Sequence, residues 1–454
     1  MAEKVVIIGG GAAGPKTAAK LRREKPDIKI DLYTQEDIIS YSACGLPYFI
    51  ENIIQNPETL IMRTPEDFQK QNINIHTKQE CIKVDTDRKI VTIKDLVSNN
   101  IYDVQYNILV IATGAIPLTP NIPGINLKNI FTLRTIQDGI KIKEKMLQSK
   151  KAVLLGGGYI SVEVMEALVH NNIQVTLIEK NPQILAMFDK DFADMITDYI
   201  IGRNPGQVSI LTNKEVVAFT GNENQEVTKV ITSSGKEIET DFVVLGTGVK
   251  PNTDFLIGSD IKLGVNNSIK VDKTMRTSNY GVYAAGDCAD KFNLVTNRYS
   301  WVPMGSTANK EGRCAAINIA GGSCLFDGIL NSTITKYFDL TISIIGISYK
   351  EALELGFQPE YAIVTKRDKA GYMPNPETMT LKLIADRNTH TLLGLQGIGE
   401  GDVNQRINAV IPAILSKTKL ESFMNLDLPY SPPYSPAIDP VLNVAQIIYQ
   451  KING

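Results

Sequence analysis

Short, wholly apolar runs recur along this chain, each followed at once by glycines. Residues 5–8 (Val-Val-Ile-Ile) form the first such run, the pattern of a strand buried on both faces of a parallel sheet. A Gly-rich stretch follows, then a helical one over residues 15–24. Pro15 is tolerated near that helix start because first-turn N–H groups have no intrahelical partner. Residues 28–33 read as the next strand and complete a βαβ unit. The unit then returns, with a strand over 152–155, a Gly turn at 156–158, a helix over 160–170 and a strand over 175–178.

Two further segments echo each other. One runs over 109–112 into Ala112-Thr113-Gly114, with Pro117 beyond; the other runs over 243–245 into Gly246-Thr247-Gly248, with Pro251 beyond. Each predicts a strand that stops at a Gly turn, where the chain can cross between domains. After about residue 330 the Gly-rich repeats cease. Strand-like runs at 341–345, 380–384 and 391–395, with a helical run over 403–416, predict a separate C-terminal domain. The expected fold class is α/β, with two Rossmann-like dinucleotide-binding domains and a C-terminal α/β domain. The expected boundaries are 1–117 and 250–329 for the first domain, 118–249 for the second inserted into it, and 330–454 for the last.

Composition narrows the function classes. With 454 residues, 43% of them hydrophobic and 21% charged, the chain reads as a globular protein of several domains. A formal net charge of −2 lends no support to nucleic-acid binding. No apolar run reaches the ~18 residues needed to span a bilayer, and the N-terminus lacks the pattern of a signal peptide. A cytoplasmic location is therefore expected. The five cysteines are odd in number and form no CxxC pair, which argues against a disulfide scaffold, a zinc knuckle or an internal dithiol. None of the three histidines sits in a motif, so no metal site is expected.

The two Gly turns carry chemistry. Gly9, Gly11 and Gly14 make a G-x-G-x-x-G between a strand and a helix. The first glycine allows a tight turn, the second lets backbone approach a pyrophosphate, and the third lets helix pack on strand. The anion then sits at the positive end of the helix dipole. The acid that usually binds ribose at the end of the second strand is missing; Thr34 stands there, with Glu36 close by. In the second unit Gly156 and Gly158 are followed by Ser161 at the third position. Glu179 ends the next strand, where a carboxylate accepts hydrogen bonds from ribose hydroxyls and repels a 2′-phosphate. NADH is thus expected there and NADPH disfavoured. Two such sites imply one resident dinucleotide and one passing reductant.

The segment Ser40-Tyr41-Ser42-Ala43-Cys44-Gly45-Leu46-Pro47-Tyr48 resembles a signature of the pyridine nucleotide-disulfide oxidoreductase superfamily. Ala112-Thr113-Gly114, Ala285-Gly286-Asp287, the run over 306–313 and the tail over 430–435 are similar to further motifs of that superfamily. The resemblance spans essentially the whole chain. It is strongest to the single-cysteine branch of coenzyme A-disulfide reductases, NADH oxidases and NADH peroxidases, and within it to the first of these.

That resemblance implies roles. FAD would be held at Gly9, Gly11, Gly14, Thr34, Ala112, Thr113 and Gly114. Asp287 would bind the ribityl chain, and Thr307 and Ala308 would lie at a helix start aimed at the flavin ring. NADH would be held at Gly156, Gly158, Ile160, Glu179 and Gly248, with Tyr159 covering the flavin's nicotinamide face and Glu163 nearby. Cys44 would be the redox-active thiol, its pKa depressed beside the flavin and alternating with a mixed disulfide or sulfenic acid. Tyr372 and Tyr430 would donate protons near the sulfur from the other subunit of a homodimer, through a C-terminal dimerisation domain.

The electron acceptor stays open at this level. Peroxidases and oxidases of the branch carry a His in the first Gly turn; Ala12 stands there, which favours disulfide reduction. Lys16, Lys20 and Arg23 share one helix face suited to coenzyme A phosphates, and Arg23 and Ser40 match the CoA-contacting pattern. Against this, Ala43, Asn309 and Ile438 replace the Asn, His and Lys of CoA-binding members. Coenzyme A disulfide, polysulfide or persulfide, and O2 at the flavin are the acceptors to be separated; a non-enzymatic flavin sensor is the reading from another class.

Overall fold

The structure, a computed structural model, describes residues 3–454. Lys4–Ile8 is the centre of a five-stranded parallel sheet, flanked by Lys29–Tyr33 and Ile108–Ile111. Ile73–His76 and Val282–Ala284 form its edges. Val5, Val6 and Ile7 are fully buried, as a strand covered on both faces requires. Each such side chain contributes about 1.5–3 kcal/mol of burial. The helix Ala13–Glu24 follows at once and packs with the helix Gly305–Ile319, so residues far apart in sequence complete one layer.

A second five-stranded parallel sheet repeats the plan. Lys151–Leu155 lies between Gln174–Ile178 and Phe242–Leu245, with Val208–Leu211 and Ile130–Thr132 outside. The helix Tyr159–His170 covers it. Between the two sheets the chain passes through Ala115–Pro117 and Val249–Pro251, which pair antiparallel as a two-stranded bridge. Those are the two Gly-turn exits that the sequence pattern marks. Each parallel sheet also carries a three-stranded antiparallel companion, one from Gln79 to Gln105 and one from Val216 to Glu239. Neither companion is foreseen by the sequence reading.

The C-terminal unit is a five-stranded antiparallel sheet in the order Thr333–Tyr337, Leu340–Gly346, Leu392–Gly399, Thr378–Asp386, Pro359–Arg367. Its strands are longer than the apolar runs suggest, and two of them are absent from that reading. Helices Val403–Leu415 and Pro440–Asn453 cover one face, burying Val403, Val410, Val441 and Ala445 against Leu381 and Leu395. No helix is long and apolar enough to cross a membrane among the described residues.

Candidate active site

The first Gly turn has three different surroundings. Gly9 has φ +119°, and a β-carbon there would lie 2.0 Å from the Ala112 carbonyl. Gly14 sits against the Gly9 carbonyl, also at 2.0 Å from a would-be β-carbon. Gly11 faces open space. Two glycines thus close the turn on its neighbours, while the third leaves a cradle for a bulky anion. Ala13, Ala112, Ala285 and Ala308 pack as a small-residue floor beneath it. Thr34 is buried, and Glu36 N–H donates to its hydroxyl at 3.4 Å. The Glu36 carboxylate accepts from the Tyr41 hydroxyl at 2.7 Å, and burial pushes its pKa up.

The second turn repeats this geometry with one exchange. Gly156 (φ +98°) closes on the Gly246 carbonyl as Gly9 closes on that of Ala112, and Gly158 faces open space as Gly11 does. At the third position Ser161 carries a hydroxyl with no hydrogen-bond partner, pressed against Gly246. A β-carbon at 246 would lie 2.0 Å from that oxygen. The side chain gained at Ser161, where the first unit has Gly14, is offset by one lost at Gly246, where the first unit has Ala112. Glu179 accepts from Gly157 N–H at 2.6 Å and Asn181 N–H at 2.7 Å, which fixes its carboxylate at the end of its strand. Gly248 has φ +97°, and Ile160 is partly exposed at the helix start. The Tyr159 hydroxyl bonds to Thr333, and Glu163 accepts from Thr335 at 2.8 Å. Both nucleotide-side groups are therefore tied to the C-terminal sheet. Burial pushes Tyr159 up to about 12 and raises the Glu163 carboxyl.

Asp287 and the helix Gly305–Ile319 face the same cleft. The Asp287 backbone carbonyl accepts from Trp301 Nε1 at 2.7 Å, but its Oδ1 is buried without a partner. Below it, Glu311 accepts from Gly286 N–H at 2.7 Å and lies 3.6 Å from the fully buried Lys291 amine. That amine donates to the carbonyls of Gly286 and Ala289, so the turn bearing Asp287 is pinned from beneath. The helix start has no side-chain cap and no acid in its first turn, leaving the N–H groups up to that of Thr307 for a ligand, while Ala308 N–H donates to the Met304 carbonyl at 3.0 Å. Thr113 donates to the Asn252 carbonyl at 2.7 Å, and Gly114 (φ +69°) lies against the Arg134 guanidinium. An orphaned carboxylate oxygen, an open glycine and uncapped amides converge here; together they fit a flavin dinucleotide.

Cys44 lies on the single turn Ala43–Gly45, ahead of the helix Leu46–Ile50. A β-carbon at Gly45 would meet Leu60 Cδ2 at 2.2 Å, so any larger residue there would displace the buried Leu60 side chain. Ser40 sits at φ +52°, a strained backbone for serine, held by Ser40 N–H to Gly10 O and Met62 N–H to Ser40 O, both 2.8 Å. The thiol is exposed to the cleft on one side and enclosed by protein on the others. That enclosure, with the charges of Glu163 and Asp287, raises its pKa, and Arg134 only partly opposes them. The expected depressed pKa is therefore not supplied by the protein's own groups: burial first, and then the carboxylates of Glu163 and Asp287, outweigh Arg134.

The other sequence candidates fall into two places. Lys16, Lys20 and Arg23 lie on the helix Ala13–Glu24, where Lys20 pairs with Glu24 and Arg23 is exposed. Tyr372 and Tyr430 lie together on the C-terminal unit, 76% and 51% exposed, near enough for Tyr430 to raise the Tyr372 pKa. Within the chain the charges felt by Cys44 are those of Glu163, Asp287 and Arg134. Arg134, Thr333, Thr335 and Lys291 escaped the sequence reading, because none belongs to a local pattern; Glu311 lies in the run over 306–313, but its pairing with Lys291 joins distant segments. Glu51, Glu166 and His170 also meet at the junction of the units, their ligating atoms within 4.8 Å. Lys336, 3.6 Å from Glu166, offsets part of their charge.

Residues 3–303 match the family described as pyridine nucleotide-disulphide oxidoreductase, and residues 332–441 match its dimerisation domain. The chain is 33% identical over 452 residues to the NAD(P)H coenzyme A polysulfide/persulfide reductase of Pyrococcus horikoshii, covering 99% of both chains. It is 32% identical over 454 residues to an NADH oxidase of Methanocaldococcus jannaschii, again covering 99% of both. The structure of reduced Bacillus anthracis CoADR-RHD superposes with a TM-score of 0.95 at 32% identity, over 100% of this chain and 81% of that one.

Proposed function

The chain belongs to the pyridine nucleotide-disulphide oxidoreductase family, and from this we propose an FAD-containing, NADH-consuming reductase of small disulfide or persulfide sulfur that works through Cys44 alone. The observation that carries the reading is one thiol, Cys44, opening into the cleft that the orphaned Asp287 carboxylate also faces. Bound FAD supplies the two-electron relay between NADH and sulfur. Gly9, Gly11, Gly14, Thr34, Ala112, Thr113, Gly114, Asp287, Thr307 and Ala308 would hold it. Gly156, Gly158, Ile160, Glu179 and Gly248 would hold NADH, with Tyr159 and Glu163 at the nicotinamide. Cys44 would take the substrate sulfur as a mixed disulfide or persulfide and release it as thiol or sulfide.

Of the other cysteines, Cys288 is fully buried with its thiol directed at the Ile111 carbonyl, Cys81 and Cys314 are also buried, and the partly exposed Cys324 packs beside Cys314 and is not among the groups that shift Cys44. The partner sulfur must therefore come from the substrate. We assign Tyr372 and Tyr430 as proton donors acting across a homodimer, because they are paired and exposed on the unit that matches a dimerisation domain. Lys16, Lys20, Arg23 and Ser40 are assigned to a coenzyme A-type substrate. The proposed division remains 1–117 with 250–329, 118–249, and 330–454, in a cytoplasmic enzyme.

The test is Cys44→Ser. NADH-dependent reduction of coenzyme A disulfide and of polysulfide should fall about a thousandfold or more. Bleaching of the flavin absorbance by NADH should persist; full disulfide turnover in the variant would sink the reading. Oxygen reduction is the alternative, favoured by the relative named NADH oxidase. Ala12 argues against it, being a position with no proton donor at the turn. NADH consumption faster under air than under argon with disulfide would select it.

A further inference from the structure

We propose that Cys314 and Cys324 form a second dithiol site, separate from Cys44, which low-molecular-weight disulfides oxidise to an intramolecular disulfide. Sequence spacing argued against any internal pair, but the fold brings these two together. Cys314 lies on the helix Gly305–Ile319, and Cys324 lies in the loop that folds back along it. The Cys314 thiol donates to the Cys324 carbonyl oxygen at 3.2 Å, which brings the two cysteines side by side, and the Cys324 thiol is near enough to shift the Cys314 pKa.

The loop is held in this position by Asn318, one helical turn after Cys314. Its amide donates to the Cys324 carbonyl at 2.8 Å, and its side-chain oxygen accepts from Cys324 N–H at 2.9 Å. Both backbone groups of Cys324 are thus fixed before any covalent bond forms, so little chain entropy remains to oppose closure. The same Asn318 amide contacts the Cys314 sulfur at 3.5 Å, so one residue touches both partners.

The two thiols differ in access, which sets the order of events. Cys324 is partly exposed, while Cys314 is buried. Burial and the neighbouring Cys324 thiol push Cys314 up to about 12, so it stays protonated while Cys324 reacts first, and loses the part of that shift due to the Cys324 thiol once Cys324 is in the mixed disulfide. The Cys324 thiolate attacks a disulfide RSSR, forms the mixed disulfide and expels RS⁻. Cys314 then gives its proton to solvent, attacks the Cys324 sulfur and expels the second RS⁻. Overall, RSSR and two protein thiols become one protein disulfide and two RSH, with two electrons passed to the small molecule.

Both cysteines fall on one tryptic peptide, residues 314–336, because no Lys or Arg intervenes; Cys44 falls on another. The experiment incubates the holoenzyme with oxidised glutathione in the absence of NADH, alkylates it after denaturation, and weighs that peptide without reduction. Wild type should give a peptide two hydrogens lighter and unalkylated. C314S should stop at a glutathionyl adduct on Cys324, and C324S should leave Cys314 a free thiol. Two alkylated cysteines in wild type, or a glutathionyl adduct persisting on Cys324 beside an intact Cys314, would overturn the proposal. Because Cys44 reports on its own peptide, failure here is distinguishable from failure at the main site.

Discussion

The Cys44 thiol is held in its protonated form by the groups around it. Enclosure in the cleft comes first, then the charges of Glu163 and Asp287. A thiol whose pKa is raised is unreactive toward alkylation below that pKa and gains rate as pH rises through it. Flavin-free protein should therefore react slowly with iodoacetamide at neutral pH and faster in the alkaline range. Glu163→Gln removes one of the two carboxylates and should move that rise to lower pH; an unmoved profile would remove Glu163 from the thiol's surroundings. Glu179 is legible in the same terms. Its carboxylate is already oriented by Gly157 and Asn181, so it can accept from a ribose at little cost in side-chain ordering. Replacing that charged acceptor in Glu179→Gln should raise the KM for NADH about tenfold, the size of one charge-assisted hydrogen bond, and move preference toward NADPH. Steady-state kinetics with both nucleotides checks this.

At the scale of elements, the C-terminal unit depends on one buried arginine. Arg406, on the helix Val403–Leu415, holds the Asp439 carboxylate through Nε at 3.1 Å and Nη2 at 3.0 Å. Its Nη2 also donates to the carbonyl of Asp368, on the loop that carries Tyr372, at 2.9 Å. The Tyr434 carbonyl, on the loop that carries Tyr430, accepts from the same nitrogen at 3.4 Å. A backbone bond from Ala370 N–H to Pro432 O joins the two loops directly. Arg406 thus registers the tyrosine-bearing loops against each other. Lysine keeps the charge but not the fork. Arg406→Lys should lower kcat for disulfide reduction about tenfold through misplaced tyrosines, while the KM for NADH stays put; a change in both would mean general unfolding instead.

Across the whole molecule, the nucleotide unit and the C-terminal sheet are joined by a charged knot. Lys382 is 3% exposed, with its amine 3.0 Å from Asp189 and 2.8 Å from Asp191, and 4.3 Å from the Tyr361 ring. Asp189, just ahead of the helix Lys190–Arg203, also accepts from Gln396 at 2.7 Å and from Tyr349 and Lys350 N–H at 3.1 Å. Lys382→Met would leave Asp189 buried and uncompensated, a change that costs about 3–5 kcal/mol. Denaturant unfolding should show that loss, with flavin released earlier than in wild type. The same docking brings Thr333 and Thr335 onto Tyr159 and Glu163, so loosening it should also raise the KM for NADH.

Both dinucleotide turns, the two crossing points and the motif around Cys44 were readable from the chain alone. Each is a local device in which neighbours in sequence are neighbours in space: a strand, a tight turn and a helix start follow one another directly. The strand lengths of the C-terminal sheet were not readable, since its antiparallel pairing extends strands beyond their apolar runs into polar residues such as Asp386 and Gln396. The small companion sheets escaped for a similar reason, being short and mixed in polarity. Thr34 looked like a simple absence of the ribose acid, and the fold shows the place filled by a buried hydroxyl bonded to Glu36. What only tertiary structure decided were relations between distant segments. The exchange of Ser161 against Gly246, the Lys291–Glu311 support under Asp287, the threonine contacts of Tyr159 and Glu163, and the meeting of Cys314 with Cys324 all belong here. The pKa of Cys44 belongs with them, because a thiol's proton affinity follows from every charge near it and from the solvent it has lost, whatever their order in the chain.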